Sequence, residues 1–165
     1  MIDNDDAAAD GVRRWEMVAA LAREEQPAMV RLAALMLGDR ARAEEVVQEA
    51  FVRLYPVIER TERPGAYLRT TVVNLCHGEG RRRATALRHP APEPTSTLPP
   101  GLPPDLSEVW LALDTLPERQ RSALVLRFYL DLPDDQIADL LEARPGTVRS
   151  LISRGLTTLE KVLTS

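Results

Sequence analysis

The chain has 165 residues, a formal net charge of −4 and a single cysteine, Cys76. This length holds one ordinary domain or two small helical ones. A content of 44% hydrophobic but only 4% aromatic residues favours Leu/Ala/Val-rich helix packing over an aromatic-rich β-sandwich. No signal peptide or long apolar run is visible, so we expect no membrane span, and the lone thiol fits a reducing cytoplasm. The negative charge indicates that any nucleic-acid contact comes from local basic clusters or waits for a larger partner.

Composition divides the chain into a tail, two helical segments and a linker between them. Residues 1–11 are acidic and lack a periodic pattern, which predicts a disordered tail. Seven of the 13 prolines fall within residues 85–105, which are therefore predicted to form a flexible, extended linker. Residues 12–84 and 106–165 show helical periodicity, and nothing alternates with period two for long. The predicted fold class is all-α, with two small helical domains joined by a Pro-rich linker.

The first helical segment is predicted to contain three helices. Trp15–Leu37 reads as a helix interrupted near Pro27, and a clearer helix runs from Arg40 to about Tyr55, with Asp39 as its N-cap. The apolar residues of this second helix trace one face: Ala43, Val46, Val47, Ala50, Phe51 and Leu54. A third helix begins at Pro64, since proline is tolerated in a first turn. Its apolar face comprises Tyr67, Leu68, Val72 and Leu75.

The second segment is predicted to contain four helices. A short helix, Leu106–Leu113, precedes one that begins with a capping box at residues 115–118 and runs to about Leu130. Pro133–Leu141 and Pro145–Leu163 follow, separated by only three residues, which is typical of a helix-turn-helix. The pair is predicted to bury Ile137, Ala138, Leu141, Val148, Ile152, Leu156 and Leu159.

The last helix carries outward polar residues near its N-terminus: Thr147, Arg149, Ser150, Ser153 and Arg154. In a DNA-binding helix-turn-helix this face enters the major groove. Arginine there reaches guanine O6/N7 or phosphate, and serine donates to or accepts from either. From spacing alone, an ordinary helical hairpin with a solvated Arg/Ser face is an equally good interpretation.

Three stretches resemble the sigma-70 family of transcription factors. Residues 116–159 resemble region 4 of this family, with the sequence LPERQRSALVLRFYLDLPDDQIADLLEARPGTVRSLISRGLTTL. The family's regions 2.1–2.2 resemble VRLAALMLGDRARAEEVVQEAFVRLY, residues 30–55, and regions 2.3–2.4 resemble RPGAYLRTTVVNLCHGEGRRR, residues 63–83. Because the two regions occur in order without a region 3, the chain resembles extracytoplasmic-function sigma factors of the SigE-like actinobacterial type.

The resemblance implies a sigma factor that binds core RNA polymerase, at the β′ clamp helices and the β flap. It also implies promoter recognition, DNA melting and transcription initiation. The region 2.2 match implies these polymerase-binding residues: Glu44, Glu45, Gln48, Glu49, Phe51 and Leu54. The match to regions 2.3–2.4 implies contacts with the −10 element by Tyr67, Asn74, Arg81, Arg82 and Arg83. The region 4 match implies contacts with the −35 element by Thr147, Arg149, Ser150, Ser153 and Arg154.

Several kinds of chemistry are not expected. Cys76, His77 and His89 lack the paired spacing of a zinc site, and no phosphate-binding loop or catalytic grouping is visible. We therefore expect no metal, cofactor, small-molecule substrate or enzymatic activity. The resemblance allows an anti-sigma partner, and a packing of the two lobes that hides their DNA faces before polymerase binds. The alternatives are an autonomous, dimeric helix-turn-helix regulator, which would bind a two-fold DNA site without polymerase, and a pure protein-interaction module.

Some positions depart from the family pattern. Gly78 and Gly80 stand where relatives continue a helix, which predicts fraying or a kink at the end of region 2.4. Pro133 and Arg144 replace the hydroxyl N-caps common in region 4, and losing such a cap typically costs about 1 kcal/mol. Tyr67 has two interpretations, because it shares the apolar stripe of its helix and could belong to the core instead of contacting DNA.

Overall fold

The structure is a computed structural model that describes residues 4–86 and 104–165. Its α-helices are α1 (Asn4–Leu37), α2 (Arg40–Leu54), α3 (Pro64–Ala86), α4 (Pro104–Asp114), α5 (Glu118–Leu124), α6 (Asp134–Leu140) and α7 (Pro145–Leu163). A 3₁₀ helix, Tyr55–Arg60, follows α2, and a π-helix, Val125–Tyr129, follows α5. The described ranges contain no strand, so the all-α prediction is confirmed. Most of the predicted linker, residues 87–103, lies outside the described residues.

The first helix begins earlier than the composition of the tail predicts. Residues 4–11 are helical, so the prediction of disorder is wrong for them. Two aspartates lie in the first turn, where carboxylates interact favourably with the helix dipole, and three alanines follow. In addition, the Tyr55 hydroxyl donates a hydrogen bond of 3.4 Å to the Gly11 carbonyl oxygen. Favourable propensity and a tertiary contact therefore extend the helix into the acidic segment.

α1 also continues through Pro27, where the sequence predicts an interruption. A proline inside a helix removes one backbone hydrogen bond and destabilises the helix by about 3 kcal/mol. The turns that follow are deeply buried, with Leu32, Ala33 and Met36 inaccessible or nearly so. Their packing on α2 and α3 offsets the missing bond. Tertiary packing, which local sequence does not reveal, thus decides the course of this helix.

The turn between α1 and α2 has a defined geometry. Gly38 adopts a left-handed φ of 68°, and its N–H donates to the Ala34 carbonyl oxygen at 2.8 Å. The Asp39 side chain then accepts a hydrogen bond of 3.2 Å from the Arg42 backbone N–H. The predicted N-cap of α2 is therefore confirmed.

One continuous hydrophobic core runs through two lobes, the N-terminal lobe (α1–α3) and the C-terminal lobe (α4–α7). The predicted inner face of α2 lies in this core: Ala43, Val46, Val47, Ala50 and Leu54. α1 contacts α5 and the π-helix, and α3 contacts α6. The two lobes therefore pack against each other.

The capping box predicted at residues 115–118 does not form. The Thr115 hydroxyl instead donates to the Ala112 carbonyl oxygen at 2.7 Å, closing the end of α4. α5 then begins after Pro117, which makes no side-chain cap. The same threonine can serve the preceding or the following helix, and here it serves the preceding one. The helix predicted to reach Leu130 also changes to the π form at Val125.

The helix-turn-helix is confirmed, with one difference in its packing. Ile137, Ala138, Leu141, Val148 and Ile152 are buried as predicted. Leu156 is exposed and Leu159 only partly buried, whereas Gly155 is buried. α7 passes so close to α5 that a Cβ at Gly155 would lie 2.8 Å from Leu124 Cδ1. The two helices thus approach each other most closely at a glycine. A pattern of periodically spaced apolar residues does not identify such a position.

The glycines of α3 do not break that helix. α3 continues through Gly78 and Gly80, so the predicted kink is wrong. A Cβ at Gly80 would meet the Glu118 carboxylate of α5, whereas no atom of the described residues lies within 4 Å of a Cβ at Gly78. Gly80 therefore gives room for the contact between the lobes. At the starts of α6 and α7, Pro133 and Arg144 form no side-chain caps, as their chemistry predicts.

Candidate functional site

The outer side of α2 is polar and acidic. Glu44, Glu45, Gln48 and Glu49, here called the acidic face, are all exposed. Arg40 Nε lies 3.0 Å from Glu44 Oε1, and Arg53 Nη2 lies 2.6 Å from Glu49 Oε1. These pairs within one helix partly neutralise two carboxylates. Among the described residues Glu45 has no ion-pair partner, so it presents the least compensated charge of the face.

The two apolar residues assigned to this surface lie elsewhere. Leu54 is 0% exposed and belongs to the core, so its assignment to a polymerase contact is wrong. Phe51 is partly buried and packs against the core. Val52, which the sequence interpretation missed, is 71% exposed and lies one turn beyond Gln48 on the acidic face. Helical spacing from Gln48 could have identified it, because residues i and i+4 share a face.

The outer side of α3 presents an aromatic, an amide and a guanidinium group. Tyr67 is 39% exposed, so it does not belong to the core, and Asn74 lies two turns further along the same side. Arg82 is also exposed, with Nη1 3.3 Å from Glu79 Oε1. The backbone of Arg81 and Arg83 belongs to α3, but their side chains are outside the described part of the structure.

The outer side of the N-terminal half of α7 is accessible. Thr147, Arg149, Ser150, Ser153 and Arg154 are all exposed, while the opposite side of the helix is buried. On the outer side of α3, Tyr67, Asn74 and Arg82 are exposed as well. Lobe packing therefore constrains the relative positions of the two surfaces without covering these residues.

A carboxylate that the sequence interpretation missed lies beside this face. Asp134, in the first turn of α6, lies 3.0 Å from Arg127 Nη2 and 3.9 Å from Arg149 Nη1. The contact with Arg127 is ionic and lacks hydrogen-bond geometry at Asp134 Oδ1. Arg127 Nη1 also donates to the Leu132 carbonyl oxygen at 3.2 Å. Asp134 thus connects α6, the first helix of the helix-turn-helix, to Arg149 of α7.

An apolar groove of about 340 Å³ separates part of α1 from the C-terminal lobe. Its walls include Leu35, Val109, Leu113, Phe128, Tyr129 and Leu156. Trp110 also lines the groove, and its buried indole Nε1 has no hydrogen-bond acceptor among the residues that the structure describes. The C-terminal lobe therefore offers an open apolar surface in addition to its arginines.

Cys76 is buried, and desolvation raises the pKa of its thiol to about 12, against a smaller lowering effect of the Arg42 charge. The thiol is therefore neutral near pH 7 and is no nucleophile. Within residues 4–86 and 104–165, no group of three or more His, Cys, Asp or Glu side chains is arranged to hold a metal ion. No described helix is long and apolar enough to cross a membrane.

Comparison with known families matches both lobes. The family model for sigma-70 region 2 matches residues 21–85, and that for sigma-70 region 4 matches residues 106–159. The ECF RNA polymerase sigma factor SigE of Mycolicibacterium smegmatis is 31% identical over 147 residues. That alignment covers 82% of this chain but only 57% of the relative, so this chain spans little more than half of that protein. The RNA polymerase sigma-E factor of Streptomyces coelicolor is 29% identical, with 86% of this chain and 82% of the relative covered.

Solved structures show the same fold. The sigma factor RpoE of Bartonella quintana, solved in complex with the anti-sigma factor NepR, matches with a TM-score of 0.68 and 21% identity. The match covers 88% of this chain and 97% of that one. The extracytoplasmic-function sigma factor SigJ of Mycobacterium tuberculosis matches with a TM-score of 0.60 and 21% identity, over 89% and 53% of the two chains. With both regions matched in order along a two-lobed helical fold, the chain belongs to the sigma-70 family, in its extracytoplasmic-function group.

Proposed function

We propose that this chain binds core RNA polymerase and directs it to promoters. The observation that carries the proposal is the acidic face of α2, which is exposed on a helix whose other side is buried in the core. A rigid polar helix face is suited to dock against helices of a partner, and we assign it to the β′ clamp helices. Its carboxylates would set orientation and association rate more than raw affinity. Glu45 is the strongest candidate for a direct ion pair, because its charge is not compensated within α2.

The exposed side of α3 is proposed to recognise the −10 element. Tyr67 can stack on an unpaired base, Asn74 can hydrogen-bond a base edge, and Arg82 can hold a phosphate, as can the flanking arginines 81 and 83. Opening the duplex then needs no catalytic side chain. Binding energy for the separated strand offsets the loss of stacking, so melting is a population shift, and the polymerase performs the nucleotide chemistry.

The exposed half of α7 is proposed to recognise the −35 element in the major groove. Arg149 and Arg154 would contact guanine or phosphate, while Thr147, Ser150 and Ser153 supply hydroxyl groups. The apolar wall that the C-terminal lobe contributes to the neighbouring groove is proposed to receive the β flap, because it is an open apolar surface of the described part of that lobe. Each lobe would then contact both DNA and polymerase.

The two lobes are proposed to separate when the complex forms. A chain of roughly 20 residues, the length of the predicted linker, can reach about 60 Å. That reach would allow the lobes to occupy two promoter elements some distance apart. Before polymerase binds, we propose that the packed arrangement is the form an anti-sigma partner would hold. The proposed site of action is the cytoplasm.

The first experiment measures binding of the full chain to purified core RNA polymerase, followed by transcription from a library of promoter fragments. We expect tight binding and selective initiation. Glu45→Lys is expected to weaken polymerase binding at least tenfold, whereas Glu160→Lys, at an exposed site near the end of α7, serves as the matched control. Specific binding to duplex DNA at a two-fold site without polymerase would overturn the proposal in favour of an autonomous regulator.

A further inference from the structure

An aromatic residue lies exposed where α1 meets the end of α2. Trp15 is 67% exposed, and its ring contacts that of Tyr55 edge-on, with centroids 6.2 Å apart. Val12 lies one turn before Trp15, Val52 one turn before Tyr55, and both valines are exposed. We call these four residues the Trp15 patch. A tryptophan left in solvent with three apolar neighbours is unusual for a small soluble protein and marks an interaction site.

The part of α1 that carries the patch is held in place by specific contacts. Glu59 lies 2.8 Å from Arg13 Nε through one carboxylate oxygen and 3.0 Å from Arg14 Nε through the other. Its hydrogen bonds to the two guanidinium groups lower the pKa of Glu59, so the carboxylate stays ionised. Because Glu59 belongs to the 3₁₀ helix after α2, these bonds fasten α1 beside the Tyr55 ring. The patch is therefore arranged before any partner arrives, which reduces the entropy lost on binding.

The patch continues the acidic face of α2. Gln48 and Val52 are one helical turn apart, and Tyr55 follows within the next turn. We propose that the Trp15 patch extends the docking surface for core RNA polymerase, with Trp15 inserted into an apolar recess of the polymerase. This inference rests on the proposed function, because it takes the acidic face as the start of that surface. Trp15 lies outside residues 21–85, which the region 2 family model matches.

The chemistry of the surroundings favours a protein occupant over DNA. The first turns of α1 carry Asp5, Asp6 and Asp10, and the acidic face lies on the other side of the patch. These carboxylates, with Arg13 and Arg14 already paired with Glu59, disfavour the approach of a phosphate backbone. An aromatic centre bordered by charged residues is the usual organisation of a protein–protein hot spot. Because the Trp15 patch is continuous with the acidic face, we assign the patch to core RNA polymerase and not to a second copy of the chain.

The test compares the full-length variants Trp15→Ala, Val52→Asp and Met17→Ala in equilibrium binding to core RNA polymerase. Trp15→Ala is expected to weaken binding about ten- to thirtyfold, and Val52→Asp at least tenfold. Met17 is the matched control, because it is exposed on the same helix but points away from Trp15, and Met17→Ala is expected to leave affinity unchanged. Circular dichroism and sedimentation of each variant report folding and oligomeric state. Val52 is the more exposed residue, so its variant tests the surface with little effect on internal packing.

The outcomes separate this inference from the proposed function. If the two patch variants and Glu45→Lys all weaken binding, the result supports the inference and the proposed function. If Glu45→Lys weakens binding while the two patch variants bind as the natural chain does, the inference is overturned and the proposed function stands. If none of the three weakens binding, the proposed docking face fails and the inference fails with it. A natural chain that sediments as a dimer, dissociated by Trp15→Ala without loss of polymerase affinity, would assign the patch to self-association instead.

Discussion

Arg121 of the C-terminal lobe donates its Nε–H to the Met36 carbonyl oxygen of α1 across 3.0 Å. Carbonyl groups in the last turn of a helix lack partners within the helix and lie at the negative end of its dipole. Arg121 is only 6% exposed, and its Nη1 also lies 3.5 Å from Asp114 Oδ1. A Cβ at Gly38 would lie 3.1 Å from that Nη1, so the glycine gives the guanidinium room. A cation of one lobe thus satisfies a backbone group of the other.

Arg121→Ala is expected to loosen the contact between the lobes. The substitution removes a charge-assisted hydrogen bond, worth about 1.5–3 kcal/mol, and leaves the Met36 carbonyl unsatisfied. Small-angle X-ray scattering should show a larger radius of gyration at unchanged helix content. Arg119→Ala is the control, because Arg119 donates to the Leu141 carbonyl oxygen within its own lobe. An unchanged radius of gyration in both variants would show that apolar packing alone holds the lobes together.

Gly155→Ala is expected to destabilise the C-terminal lobe by about 1–3 kcal/mol, because the added methyl group would overpack the crossing of α7 and α5. Its Cβ would lie 2.8 Å from Leu124 Cδ1 and 3.1 Å from Leu124 Cγ. Gly146→Ala, in the first turn of the same helix, meets only an ordinary contact, 3.8 Å from Arg149 Nη2. Urea unfolding should therefore show a lower midpoint for the first variant but not for the second. Equal midpoints would show that the helices adjust freely.

Glu142→Gly is expected to be more stable than Glu142→Ala by about 1 kcal/mol. Glu142 has a left-handed φ of 50° after α6, where the Ala143 N–H donates to the Ala138 carbonyl oxygen and the Glu142 N–H to Asp139. This is the helix-ending motif in which glycine is preferred, since a side chain makes the left-handed conformation costly. Glu142→Ala keeps the Cβ and should show the lower midpoint of the two in thermal unfolding. Equal stability of the two variants would show that a Cβ costs little in the left-handed conformation at residue 142.

Replacement of Arg149 and Arg154 by Ala is expected to abolish selection of the −35 sequence while polymerase binding stays intact. Each well-formed arginine–guanine contact is worth about 1–3 kcal/mol of discrimination. Transcription from a promoter library, compared with affinity for core polymerase, separates the two effects. Lys161→Ala, at the exposed far end of α7, is the control. A double variant that binds polymerase more weakly would contradict the proposed division of roles.

Stability is expected to fall in alkaline solution through Cys76. Burial raises the pKa of its thiol from 9.0 to about 12 in the folded chain, so the unfolded chain releases the proton first. Between these two pKa values the native state binds more protons than the unfolded state, and the free energy of unfolding decreases as pH rises. Chemical unfolding of the natural chain and of Cys76→Ala should show a steeper alkaline decline for the former. Parallel declines would assign the effect to other groups.

Patterns within single helices predicted much of this fold. The apolar spacing of α2 identified its buried face, and the short turn before α7 identified the helix-turn-helix. What failed depended on neighbours: Pro27 lies inside a helix because the following turn is deeply buried, and Thr115 closes α4 instead of capping α5. The error at the site has a different origin, because the pattern within one helix was enough to avoid it. Family correspondence assigned Leu54 to the surface, although its position relative to Ala50 places it in the core beside exposed Val52.

Burial of the only cysteine in the chain also makes the molecule suitable for distance measurements by fluorescence. A protonated, inaccessible thiol reacts slowly with maleimide dyes at neutral pH. Cysteines introduced at exposed positions such as Thr70 and Glu160, one in each lobe, would therefore be labelled selectively. Energy transfer between the two dyes would then follow, molecule by molecule, how far and how often the lobes move apart, without first removing a natural thiol.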